Sequence, residues 1–183
     1  MNPAQAVEFN SFDLFSIAQA KNTTPASLFA PILDRLNQTG IPLRLPRQIL
    51  ASSSLYAVLW SASSNGYEVA LTSEPRCRSN YCRNGLVSAK KLTADMPSIE
   101  QEFAFLNDPK FRPQARSPEP LSEVQLANGK QGFFIPWVLG ANYSDAKVIW
   151  EENGYRYLVS WKKGDRNTLI QLANSAIQAA NKR

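Results

Sequence analysis

Residue types that commonly carry chemistry are scarce in this chain of 183 residues, which has no histidine and only two cysteines. A histidine general base, a Ser-His-Asp or Cys-His site and an imidazole metal site are therefore excluded. The sequence also lacks a Gly-x-Gly-x-x-Gly fingerprint, a phosphate-binding Gly-Lys-Ser/Thr loop and a Gly-x-Ser-x-Gly elbow. We therefore predict no catalytic residue, no cofactor and no metal site.

The two cysteines, Cys77 and Cys82, are separated by four residues in the segment Cys-Arg-Ser-Asn-Tyr-Cys. A zinc site needs further ligands that the chain does not offer, and a redox dithiol usually shows the tighter Cys-x-x-Cys spacing. A structural disulfide that closes a short loop is the favoured interpretation, with two reduced surface thiols as the alternative. Paired cysteines are typical of an oxidising compartment, and so short a loop limits the stabilisation to roughly 2 kcal/mol.

The formal net charge of +5 is concentrated in one stretch of the sequence. Five basic residues without any acid among them equal that excess: Arg76, Arg78, Arg83, Lys90 and Lys91. The functional hypothesis is a docking surface for an anionic partner, and the alternative is a solvated loop. Nucleic acid is not the expected partner, because no RNP, zinc-finger or basic-helix motif accompanies the charge.

Two adjacent carboxylates, Glu151 and Glu152, precede a predicted turn. Neighbouring side chains on a strand point to opposite faces, so these two cannot form a facing acid pair, and we expect both to be solvated. A hydrolase that assembles its carboxylates from distant positions remains a third functional alternative.

Aromatic residues concentrate on the predicted strands. If one face of the sheet keeps some of these rings exposed, it would be a platform for a glycan or an apolar ligand, whereas the alternative places the rings in the core. The candidate ligand-binding residues are Trp60, Tyr67, Trp150 and Tyr157.

The elements that must position these residues begin with an arm over residues 1–23, in which phenylalanines recur every third residue. Thr24-Pro25 predicts a helix start and Gly40 its end, with a kink or a later start at Pro31. Residues 41–46 are expected to form a short edge strand bounded by prolines. We assign residues 24–183 to a single domain.

Paired strands are predicted over residues 55–61 and 66–73, with Asn65-Gly66 as their turn, and residues 86–92 are a further candidate strand. Residues 96–106 hold a candidate helix. Two more hairpins are predicted around Asn128-Gly129 and Asn153-Gly154, and a final helix with Asp165 as its N-cap.

This order predicts an α+β single domain, in which helices pack on one face of a twisted antiparallel sheet. No apolar run approaches the roughly 20 residues of a membrane span, so we expect a protein that is not transmembrane, with peripheral membrane contact left open. The first twenty residues do not form a signal peptide, yet residues 3–6 are similar to the end of a cleaved one. The expected location is extracytoplasmic, in a periplasm or thylakoid lumen, after signal-peptide removal.

The chain resembles a family of small exported cyanobacterial proteins of unknown function over roughly residues 41–178. The similar features are a Gly-Tyr strand, a cysteine pair, an Asn-Gly hairpin ending in Gly-Phe-Phe, a second Asn-Gly turn with a tyrosine strand, and an Ala-Asn-Ser-Ala-Ile helix. They are found here at residues 66–67, Cys77 with Cys82, residues 126–134, residues 153–157 and residues 173–177.

The family pattern has a second cysteine pair where this chain has Leu139 and Tyr143. This departure argues against a redox role for that pair and favours a structural one. The resemblance implies export and an α+β fold, and it carries over no catalytic residue.

The leading functional hypothesis is a non-catalytic extracytoplasmic interaction or accessory module. It would dock a protein partner or a larger assembly through the basic loop and the N-terminal arm. A glycan- or apolar-ligand-binding domain that uses the aromatic sheet face is the first alternative, and the hydrolase is the second.

Overall fold

A computed structural model describes residues 28–49, 54–111, 113, 115–139 and 144–179. The predicted arm and the predicted helix start at Thr24-Pro25 lie outside these residues. The α-helices are α1 (Leu33–Asn37), α2 (Ile99–Phe103) and α3 (Arg166–Ala179). Short 3-10 turns cover Ala30–Ile32, Ala104–Asn107 and Ala127–Gly129.

Seven strands form one antiparallel sheet in the order β1-β2-β3-β9-β8-β6-β5, and β4 pairs separately with β7. The strands are β1 (Tyr56–Ser63), β2 (Gly66–Thr72), β3 (Arg83–Lys91), β4 (Ala115–Arg116), β5 (Ser122–Gln125), β6 (Gln131–Ile135), β7 (Val138–Leu139), β8 (Ala146–Glu152) and β9 (Tyr155–Trp161). The predicted α+β class and the antiparallel sheet are confirmed.

Two of the Asn-Gly pairs are turns, as predicted. Asn153 and Gly154 both have positive φ, 52° and 82°, and connect β8 to β9. Asn128 and Gly129 also have positive φ, 59° and 67°, within the connection from β5 to β6. Positive φ at both central residues is what a tight antiparallel hairpin requires, and Asn and Gly tolerate it best.

The other two Asn-Gly pairs are not the central residues of a turn: the prediction for Asn65-Gly66 is wrong by one residue, and Asn84-Gly85 lies within β3. Residues 64–65 make the turn from β1 to β2, and Gly66 already pairs with Ser63 as the first residue of β2. A Cβ on Gly66 would lie 2.6 Å from the carbonyl oxygen of Ala89, so glycine is needed there for close strand packing. Gly85 lies inside β3, where a Cβ would collide with the carbonyl oxygen of Ser160.

The main core lies between one face of the sheet and the helices α1 and α3. Asp165 caps α3 as predicted, because its Oδ1 accepts a hydrogen bond from the Thr168 amide at 2.9 Å. Leu169, Ala173 and Ile177 of α3 are buried against the sheet. Gly40 ends the first helical region with φ of 71°, as its position in the sequence predicts.

A smaller apolar cluster adds a helix to the opposite face of the sheet. Ile99 of α2 packs with Ile135 and Ile149, whose side chains point away from the main core, while Phe103 and Leu106 cover the edge of this cluster. The predicted helix over residues 96–106 is therefore found as α2 and the following 3-10 turn.

The predicted edge strand at residues 41–46 is wrong. Among the residues that the structure describes, this segment pairs with no strand, and it crosses the main core side of the sheet, where Ile41 is buried. Side-chain hydroxyls replace a strand ladder: Tyr67 Oη accepts a hydrogen bond from the Arg44 amide at 3.1 Å, and Tyr157 Oη donates to the Pro42 carbonyl at 3.0 Å. In the described part of the chain, no helix is both long and apolar enough to cross a membrane.

Candidate functional site

The connection from β2 to β3, residues 73–82, contains both cysteines, and we call it the disulfide loop. Cys77 and Cys82 are disulfide-bonded with their Cα atoms 6.0 Å apart, and Cys77 is 3% exposed. The Ser73 amide donates to the Cys82 carbonyl at 3.1 Å, and the Cys77 amide donates to the Glu74 carbonyl at 3.4 Å. The covalent bond and these hydrogen bonds together fix the path of the loop.

Trp60 attaches the disulfide loop to strand β1. The register of β1 against β2 shifts between Leu59 and Ser61, which makes Trp60 the extra residue of a β-bulge. Its indole Nε1 donates a hydrogen bond to the Cys77 carbonyl at 3.3 Å. The bulge thus directs one ring out of the strand to hold the loop against the sheet.

Three side chains of the disulfide loop point into solvent: Arg76 and Arg78 are exposed, and Tyr81 is 93% exposed. No described carboxylate forms an ion pair with either arginine. Lys162, after β9, donates from Nζ to the Tyr81 carbonyl at 2.9 Å and adds a further positive charge. Glu74 is an exposed acid of the same loop.

Arg83 has a different environment from the two exposed arginines, which corrects its assignment to the docking surface. Its Nη2 lies 2.7 Å from Oδ2 of Asp145, and the two side chains are 13% and 3% exposed. The guanidinium carbon also lies 5.6 Å from the centre of the Trp60 ring. Because the charge of Arg83 is compensated inside the fold, this residue positions the loop and does not extend its exposed surface.

Lys90 and Lys91 are exposed, but they lie at the other end of β3 from the disulfide loop. Eight residue steps along a strand separate Lys91 from Arg83 by roughly 26 Å. The five basic residues that are close in sequence therefore do not form one patch. Only Arg76 and Arg78 remain together at the disulfide loop.

The predicted aromatic platform is also corrected, because three of its four residues are buried. Tyr67, Trp150 and Tyr157 are 2%, 1% and 0% exposed and belong to the main core. Trp150 and Tyr157 stack with ring centres 5.4 Å apart. These rings fill the space between sheet and helices, since they point to the face that the helices cover, and Trp60 is committed to the disulfide loop.

A buried charge cluster, which no sequence motif indicated, lies at the Asn153-Gly154 end of the sheet. Arg44 binds Glu152 through two hydrogen bonds of 2.9 and 2.8 Å, and Lys130 Nζ lies 3.0 Å from Glu152 Oε1. The expectation that Glu152 is solvated is wrong, because its side chain is 9% exposed. The one sequence signal that could have indicated a buried partner is an arginine between two leucines, at residues 43–45.

The pKa of the Glu152 carboxyl group and the pKa values of the two nearby tyrosines are shifted in opposite directions. The hydrogen bond from Arg44, helped by Lys130, lowers the pKa of Glu152 from 4.5 to about 2 despite partial burial. Burial raises the pKa of Tyr157 to about 12 and also raises the pKa of Tyr67. The cluster is therefore fixed in its charge state at neutral pH, which fits a structural role better than proton transfer.

The other predicted carboxylate, Glu151, is exposed and shares Arg156 with Glu102. Nη2 of Arg156 lies 2.7 Å from Glu151, and its Nη1 lies 2.8 Å from Glu102. One arginine thus joins two exposed carboxylates in a network of ion pairs.

One cavity of about 480 Å³ lies between the proline-rich connection that precedes β5, residues 117–121, and the start of β7. Its walls include Pro118, Pro120 and Pro136, with Leu106 and Arg116. None of the predicted site residues lines it, and it lies on the β5 side of the sheet, away from the disulfide loop.

The fold and this loop define the class of the protein: an α+β domain that presents a disulfide-closed basic loop at one end of its sheet. No group of three or more potential metal ligands occurs among the described residues. Comparison with family models, with curated proteins and with solved structures finds no match to this chain.

Proposed function

We propose that this protein is a non-catalytic interaction module that docks an acidic surface of a protein partner through the disulfide loop. The observation that carries the proposal is the exposure of Arg76, Arg78 and Tyr81 on a loop whose backbone is fixed. Arginine and tyrosine are enriched where protein interfaces concentrate their binding energy.

The rigidity of the disulfide loop supports the same function. The Cys77–Cys82 bond and the Trp60 hydrogen bond hold the loop before a partner arrives. A loop that is already ordered loses little conformational entropy on binding, so more of the contact energy contributes to affinity. The two arginines also gain more from a carboxylate partner, because no described ion pair must first be broken.

The proposed location is extracytoplasmic, in a periplasm or a thylakoid lumen. The disulfide supports an oxidising compartment, where such bonds persist without continual reduction. The phenylalanine-rich arm over residues 1–23, which lies outside the described residues, stays a second predicted contact.

The test compares three tagged forms of the full chain in cells of its source: the unchanged protein, R76E/R78E and the matched control K90E/K91E. Both variants reverse two exposed charges, so they change the net charge equally. R76E/R78E alters the disulfide loop before β3, whereas K90E/K91E alters the far end of β3. After cross-linking, the proteins captured are quantified by mass spectrometry. The proposal predicts that one partner is retained by the control and lost by R76E/R78E. An identical captured set for all three forms would overturn it.

A further inference from the structure

In the described part of the chain, no strand pairs with the outer edge of β1. β1 is the first strand of the seven-stranded sheet and pairs only with β2 there. It is eight residues long and contains no charged residue and no proline. A long, uncharged edge strand presents unpaired backbone groups that can accept an added strand.

The opposite edge of the same sheet has the protection that β1 lacks. β5 has four residues, carries Glu123 and follows Pro120 closely. Short length, charge and nearby proline are the usual means by which a sheet edge avoids pairing with another chain. The bulge at Trp60 is the one such feature of β1, and that residue is occupied in holding the disulfide loop.

The disulfide loop contacts β1, the strand that carries this unpaired edge. Trp60 belongs to β1, and its indole contacts the Cys77 carbonyl between the two exposed arginines. The strand that offers backbone hydrogen bonds and the loop that offers two exposed arginines are therefore in contact. A ligand that used both would be extended in conformation and acidic in charge.

We propose that an extended acidic peptide segment pairs with the outer edge of β1 as an added strand, while its carboxylates contact Arg76 and Arg78. The inference rests on the proposed function and specifies how the partner binds. Strand addition supplies affinity through the backbone, and alternate side chains supply specificity. A second copy of the chain is disfavoured as the occupant, because each copy has a net charge of +5 and the same exposed arginines.

The probe is a fluorescent octapeptide of alternating valine and glutamate. A second octapeptide, which has lysine in place of each glutamate, is the charge control. Two further forms carry backbone N-methyl groups on the valines or on the glutamates, which removes hydrogen-bond donors from one edge of the peptide only. Binding to the full chain is followed by fluorescence anisotropy. Hydrogen exchange at residues 56–63 reports whether β1 gains protection.

We expect the acidic peptide to bind. One methylated form should bind at least about tenfold more weakly, because each lost backbone hydrogen bond weakens binding, whereas the other should bind as tightly as the unmethylated peptide. β1 amides should gain protection on binding, and R76E/R78E should reduce affinity by about tenfold while K90E/K91E does not.

Three results would overturn the inference. If the peptide binds with dependence on Arg76 and Arg78 but neither methylation nor β1 exchange responds, strand addition is wrong and the basic docking loop stands. If protection of β1 instead rises with protein concentration alone, together with a dimer in size-exclusion chromatography, the edge is occupied by a second copy. If no acidic probe binds and charge reversal leaves partner capture unchanged, the proposed function itself fails.

Discussion

The two ends of the seven-stranded sheet use charge in different ways. At the Asn153-Gly154 end, Arg44 and Lys130 neutralise the buried Glu152, and the 41–46 segment is thereby attached to the sheet. At the disulfide-loop end, Arg76 and Arg78 are exposed and have no ion pair with a described residue.

Lys90 and Lys91 are exposed basic residues at the Asn153-Gly154 end of the sheet. One acid lies near Lys90: the pKa of Asp95 is lowered by a hydrogen bond from Thr93 and, to a smaller extent, by Lys90. The charges that stabilise this fold are therefore the buried and paired ones. The exposed arginines of the disulfide loop form no ion pair with a described residue, so a partner can use their charges.

The largest expected effect comes from breaking the buried charge cluster. Arg44→Met should lower the free energy of unfolding by about 3–5 kcal/mol, because it leaves the Glu152 carboxylate buried with Lys130 as its remaining partner. Urea denaturation measures the change. Lys91→Met, an exposed control at the same end of the sheet, should change stability by less than about 0.5 kcal/mol. Equal effects of the two variants would contradict a structural role for Arg44.

A comparison of two arginines close in sequence comes next. Arg83→Met should cost about 3 kcal/mol because it leaves Asp145 buried without its cation, whereas Arg76→Met should cost less than about 0.5 kcal/mol. Thermal and urea unfolding of both variants give the measurement. If Arg76→Met proves as destabilising as Arg83→Met, the separation between internal and exposed arginines is wrong.

Acid should weaken the charge cluster within a defined pH range. The pKa of Glu152 is lowered in the folded state, so its ionised form stabilises the fold above pH 4.5, and this contribution is lost as the pH falls toward about 2. The expected loss is roughly 2–3 kcal/mol, and Glu152→Gln should remove this part of the pH dependence. Urea unfolding at several pH values tests it, and an unchanged acid profile for Glu152→Gln would be the opposing result.

Removal of the disulfide should have the smallest effect on stability of these changes. Replacing Cys77 and Cys82 together by serine should lower the free energy of unfolding by about 2 kcal/mol, since the closed loop is short. Partner capture should fall further than this modest loss suggests, because the loop is no longer fixed before binding. A variant that unfolds earlier yet captures its partner fully would show that rigidity is not needed.

The sequence predicted local structure well where turn and cap chemistry is specific. Asn153-Gly154 and the Asp165 cap act through positive φ and a backbone hydrogen bond, which are properties of a few adjacent residues. The two remaining Asn-Gly pairs could not be interpreted in this way. At Gly66 and Gly85 the glycine is required by a neighbouring strand distant in sequence.

The site was harder to predict, because its contacts also join residues that are distant in sequence. Proximity in sequence suggested one basic patch, but a strand of nine residues carries Lys91 far from Arg83. The partners that bury Arg83 and Arg44 are Asp145 and Glu152, and both come from the last third of the chain. Long-range pairing decides which charges remain exposed, and no local pattern records it.

Site-specific photo-crosslinking from the two ends of the sheet tests whether the disulfide loop is the docking surface. A photoreactive p-benzoylphenylalanine replaces Tyr81 in one form of the full chain and Lys90 in another, and cross-linked products from cells of its source are compared. The account predicts a discrete cross-linked partner from position 81 that is absent from position 90 and disappears in R76E/R78E. The same products from both positions, or products from position 90 alone, would contradict it.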